Sequence, residues 1–68
     1  MNYVVYKDVD RDGVIRRWFL QRFNRKEVCY TDSIKKAMVF ESKNSAKAAM
    51  KAVDHGSRCL HILEVIQE

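Results

Sequence analysis

A chain of 68 residues makes one domain, 1–68, with room for a single small core. Its 47% apolar content argues against intrinsic disorder, and no apolar run approaches the roughly 20 residues that a membrane-spanning helix needs. The net charge of +4 and the pI near 9.3 fit an anionic partner, or simply solubility.

Residues 2–8, NYVVYKD, alternate aromatic and β-branched side chains and predict a strand. Asp10-Arg11-Asp12-Gly13 is a turn with Asp-Gly at its tip. Residues 14–23, VIRRWFLQRF, predict a long second strand that completes a hairpin. Strict alternation places Val14, Arg16, Trp18, Leu20 and Arg22 on one face and Ile15, Arg17, Phe19, Gln21 and Phe23 on the other. Ile15, Phe19 and Phe23 are assigned to the core, which turns Arg16, Trp18 and Arg22 outward. Asn24-Arg25-Lys26 predicts a second turn, and Val28-Cys29-Tyr30 a short third strand.

Thr31 or Asp32 can cap a brief helical turn through Ile34, Ala37 and Met38, which Val39-Phe40 interrupts. Ser42 is the N-cap of the main helix, predicted from about 43 to 54 and stopped by Gly56. Ala46, Ala49, Met50 and Val53 fall at i, i+3, i+4 and i+7 and form its buried stripe. Phe40 should tuck under the helix start. One continuous helix over 33–54 is the alternative, and Ser42 argues against it as a better start than middle. Residues 59–67, CLHILEVIQ, predict a last strand, with Leu60, Ile62 and Ile66 facing one way and Leu63 and Val65 the other. Apolar residues on both faces suggest a central position. The fold class is α+β: a small, mostly antiparallel sheet in β-β-β-α-β order, with one helix on one face.

The pattern Ala37-x-x-Phe40-x-Ser42-Lys43-x-x-Ala46, followed by an apolar strand carrying Ile62 and Val65, resembles small phage-encoded accessory proteins. The motif is structural, since the alanines and phenylalanine pack and the serine caps. It covers the last half of the chain and transfers no functional residue. The resemblance implies a viral protein that binds and blocks a host enzyme or a defence system.

Several constellations bear on chemistry. Asp8-Val9-Asp10-Arg11-Asp12-Gly13 matches the first half of an EF-hand calcium loop. Phe19 stands where the bidentate Glu belongs, so the segment is read as a hairpin turn. Cys29, Cys59 and His61 lack zinc-site spacing, and the cysteines are expected to be reduced, buried thiols. Asp54, His55 and Ser57 are too close in sequence to converge as a triad. No catalytic residue, metal or cofactor is therefore expected.

Basic residues carry the functional expectation. The middle of the chain, 13–58, holds eleven basic and four acidic side chains. Arg16, Trp18, Arg22, Arg25 and Lys26, with Tyr30 nearby, form the expected partner-binding surface, because Trp, Tyr and Arg are enriched in interface hot spots. The expected partner is a host or defence protein, with RNA or DNA as the alternative. Ser42, Lys43 and Lys47 form a candidate anion site at the helix start, although a lysine row is commonly a solvated face. Association into a homo-oligomer would offset the small core. The N-terminus carries no signal-like charge and apolar run, so the expected location is cytoplasmic, in the host cytoplasm if the protein is viral.

Overall fold

A computed structural model describes residues 2–53 and 60–65. The chain forms β1 (Asn2–Arg11), β2 (Val14–Phe23), β3 (Val28–Thr31), a single 3-10 turn (Ile34–Lys36), α1 (Lys43–Val53) and β4 (His61–Val65). This is the expected β-β-β-α-β order. The four strands make one antiparallel sheet in the order β3-β2-β1-β4, with α1 on one face.

The β1–β2 hairpin is set by its two-residue tip. Asp12 and Gly13 adopt φ of 54° and 82°, the left-handed pair of a type I′ turn, and Asp10 Oδ1 accepts from the Gly13 N–H at 3.2 Å. That turn pairs Arg11 with Val14 and propagates the register to Tyr6 opposite Phe19. Asn24 organises the next turn, its Oδ1 accepting from the N–H groups of Lys26 and Glu27 at 2.7 and 2.9 Å.

A bulge in β2 between Leu20 and Arg22 changes which side chains share a face. Leu20, fully buried, faces α1, and so does Phe23 three residues later. Phe19 is buried on the opposite face with Val4 and Ala37. The expected grouping of Ile15, Phe19 and Phe23 is thus corrected: the extra residue moves Phe23 to the other side. Ile15 does not join the core either. It is 68% exposed, because the hairpin runs past every element that could cover it.

Below the helix, Val5, Leu20, Ala46, Ala49 and Leu60 form a buried cluster flanked by Tyr3, Phe40, Met50, Val53 and Ile62. The Ala46, Ala49, Met50, Val53 stripe therefore packs as expected. Ser42 caps α1 through Oγ, which accepts from the Ser45 N–H at 3.2 Å. The 3-10 turn is shorter than expected, and its N-cap is Ser33, which makes no side-chain capping bond. Thr31 serves from outside, its Oγ1 accepting the Ser33 N–H at 3.2 Å.

Residues 37–40 pass through the sheet rather than around it. Ala37 packs with Val4 and Phe19 on one face, and Phe40 lies in the cluster on the other. Between them, the Met38 N–H donates to the Leu20 carbonyl at 2.8 Å, and Tyr3 and Phe40 exchange both backbone hydrogen bonds at 2.8 Å. The passage fills the fork where β1 and β2 separate below Tyr6 and Phe19.

β4 is an edge strand, not a central one. It is apolar on both sides because both faces are covered there: Leu60 and Ile62 meet the helix-side cluster, and Leu63 and Val65 pack beside Val4. Cys59, Ile66 and Gln67 of the expected strand, and Asp54 and Gly56 at the expected helix end, lie outside the described residues.

Leu20→Ala should cost about 2–5 kcal/mol, because it empties a fully buried site. Ile15→Thr should change stability by less than about 0.5 kcal/mol, because that side chain is exposed. Equilibrium denaturation in urea distinguishes the two, and a large loss at Ile15 would place it in a core.

Candidate protein-binding surface

Both strands of the hairpin are ten residues long, but their neighbours are short. β4 pairs only with Asn2–Tyr6, and β3 only with Phe19–Phe23. Lys7–Arg11 and Val14–Trp18 therefore project as a two-stranded arm. Alternation from buried Val5 and Leu20 puts Lys7, Val9 and Arg11, with Val14, Arg16 and Trp18, on the helix side of the arm. With Asp12 and Tyr30 they line an open groove of about 740 Å³.

The groove is cationic and aromatic. Lys7, Arg11 and Arg16 face a single acidic side chain, Asp12. Among the described residues, neither Arg11 nor Arg16 has a carboxylate within ion-pair distance. Lys7 Nζ lies 4.0 Å from the Tyr30 ring centroid, a cation–π contact that joins β1 to β3 across β2. Trp18 is half-buried opposite Lys7.

The back of the arm carries the opposite balance. Asp8, Asp10, Ile15 and Arg17 lie there. Arg17 Nε donates to Asp8 Oδ1 at 3.0 Å, and its guanidinium sits 4.1 Å from the Tyr6 ring centroid. The hydrogen bond from Arg17 holds the Asp8 carboxyl below the usual aspartate range; desolvation opposes it, and the positive charges of Arg17 and His61 add to the lowering. Tyr6 also stacks obliquely on Phe19 and His61.

Only part of the expected surface is brought together. Arg16 and Trp18 share the groove, but on the helix-bearing face and not on a face turned away from the core, since Leu20 fixes that side as the inner one. Arg22 is separated from them by the bulge and lies on the opposite face. Its Nε donates to Cys29 Sγ at 3.4 Å, and its Nη2 is 3.8 Å from Glu27 Oε1. Arg25 and Lys26 are exposed in the β2–β3 turn, beyond the groove lining. Lys7 and Arg11 were not anticipated, although the Asp12-Gly13 register places them opposite Trp18 and Val14.

The other candidates are quieter. At the helix start, the Ser42 hydroxyl donates to Ser45 Oγ at 3.0 Å while accepting the Ser45 N–H, and Lys43 and Lys47 are exposed. Asp8 and Asp10 are engaged by Arg17 and the Gly13 amide, as befits a turn. No cluster of three or more His, Cys, Asp or Glu suited to a metal occurs among the described residues. Cys29 is a half-buried free thiol, while Cys59 and the Asp54, His55, Ser57 group lie outside the described residues. No helix among the described residues is long and apolar enough to cross a membrane. Comparison with protein-family models, with curated proteins and with solved structures finds no match.

The Asp8–Arg17 contact predicts a pH signature. A lowered folded pKa gives stability that is present above the unfolded value near 3.8 and is lost as pH falls through the folded value. Carboxyl NMR should find Asp8 titrating below ordinary aspartates, and Arg17→Gln should return it toward 3.8. An unchanged midpoint in that variant would disprove the pairing in solution.

Proposed function

We propose that this chain is a non-enzymatic binding module of the phage accessory type, which docks on an acidic surface of a host or defence protein and inhibits it. One observation carries the reading: Lys7, Arg11 and Arg16 surround Trp18 and Tyr30 on a face of the arm that α1 leaves open. Trp18 is the anchor, and Arg16 and Arg11 supply charges with no carboxylate partner among the described residues. The phage-type role rests on the Ala37, Phe40, Ser42, Ala46 pattern and supplies the class of partner.

Nucleic acid is the second reading, favoured by the same charge and rings. Base stacking needs an accessible ring face, and here Lys7 lies over Tyr30 while Arg17 lies over Tyr6. Asp8, Asp10 and Asp12 also place carboxylates along the arm, where they would repel a phosphate backbone. Both features favour a protein partner.

The test is affinity capture from a host lysate with and without nuclease, using the parent chain and three variants. Capture should survive nuclease. Trp18→Ala should weaken it by about 2 kcal/mol or more, Arg16→Glu should abolish it, and Arg22→Glu should leave it intact. Loss of capture on nuclease treatment would establish the nucleic-acid reading instead. Equal effects of Arg16→Glu and Arg22→Glu would remove the groove from consideration.

A further inference from the structure

The arm offers an unpaired backbone edge as well as a face. With a two-residue tip, Arg11 and Val14 form a hydrogen-bonded pair, and such pairs recur at every second position. Val14, Arg16 and Trp18 therefore turn their backbone groups toward β1. Ile15 and Arg17 turn theirs outward, where β3, which begins pairing at Phe19, does not reach. Among the described residues nothing pairs with this edge.

We propose that the outer edge of β2 at Ile15 and Arg17 takes an extended segment of the partner protein by strand addition, a segment that alternates acidic and apolar side chains. This deepens the docking function proposed above and rests on it. An added strand presents alternate side chains to the two faces. On the helix side they fall beside Arg16, which has no carboxylate partner among the described residues and lies within a groove of three cations and one acid. On the back they fall beside Ile15, a 68% exposed aliphatic, while Arg17 is already matched by Asp8. Charge on one face and hydrophobicity on the other thus specify the alternation.

A second copy of the chain fits this edge less well. The self-pairing register that engages both Ile15 and Arg17 sets Arg16 directly opposite Arg16, and like charges facing across strands are destabilising. The other edges suit such a segment less: β3 has four residues, β4 exposes Glu64 and His61, and the outer edge of β1 beyond Tyr6 carries Asp8 and Asp10, whose carboxylates repel an acidic strand.

The probe is a capped decapeptide of alternating glutamate and valine, titrated to millimolar concentration into the labelled full chain and followed by NMR. The amides of Ile15 and Arg17 should shift, and their hydrogen exchange should slow at least about tenfold at saturation. A lysine–valine peptide should do neither. Ile15→Pro, which deletes an outward N–H and no bond within the hairpin, should abolish binding. If that proline disturbs the hairpin, exchange on the parent chain decides alone. Absence of binding, or binding without protection of those two amides, overturns strand addition. Equal protection by a thymidine oligonucleotide, or concentration-dependent protection without any peptide, overturns it in favour of a nucleic acid or a second copy. Captured partner that is lost with Arg16→Glu but kept with Ile15→Pro would leave the cationic docking face standing and remove only the strand-addition mode.

Discussion

The architecture depends on a mismatch of lengths. Ten-residue strands span roughly 33 Å, whereas the eleven residues of α1 span roughly 16 Å. Only half the hairpin can be covered, and the buried residues mark that half: Val4, Val5, Phe19, Leu20, Ala46, Ala49 and Leu60. Beyond Lys7 and Trp18 the same two strands continue without a core beneath them. There the side chains become charged and the aliphatics Val14 and Ile15 stand in solvent. A single pair of strands is folded foundation at one end and open surface at the other.

The arm is polarised across its thickness as well as along its length. The strands alternate such that one side collects Lys7, Arg11 and Arg16 and the other Asp8, Asp10 and Arg17. The four bases and three acids of the arm, residues 7–18, thus divide into two surfaces of opposite character. The acidic side is largely satisfied internally by Arg17 and the turn amide, and the basic side is not. That difference in internal satisfaction, more than net charge, marks the helix side as the candidate docking face.

The features legible in the sequence are those written in local chemistry. Asp12-Gly13 declares the tip, Ser42 the helix start, and the Ala46, Ala49, Met50, Val53 spacing the buried stripe. The β2 bulge has no such signature: nothing near Gln21 announces an extra residue, and one residue is enough to reverse Arg22 and Phe23. The mistaken burial of Ile15 has a different cause. Alternation shows which side chains share a face but not how far along the strand the cover extends. β4 looked central because Ala37 and its neighbours cover the back of the sheet, a long-range arrangement that hydropathy does not encode. Of the groove lining, Arg16 and Trp18 are legible from composition. Lys7 and Arg11 were missed because the register implied by the turn was not carried back into β1.

The passage of residues 37–40 through the fork has a consequence for assembly. The hairpin is built from neighbours in sequence, so it can form early at low entropic cost. The Tyr3–Phe40 bridge closes a far longer loop, and the fork it occupies exists only if β1 and β2 have not zipped together below Tyr6 and Phe19. Met38 and Phe40 therefore act as a doorstop. Seated, they hold the two strands apart at the foot and leave Tyr3 facing them, with Val4 beside β4. The foot of the sheet therefore cannot be completed by the hairpin alone and needs residues 38–40 from further along the chain.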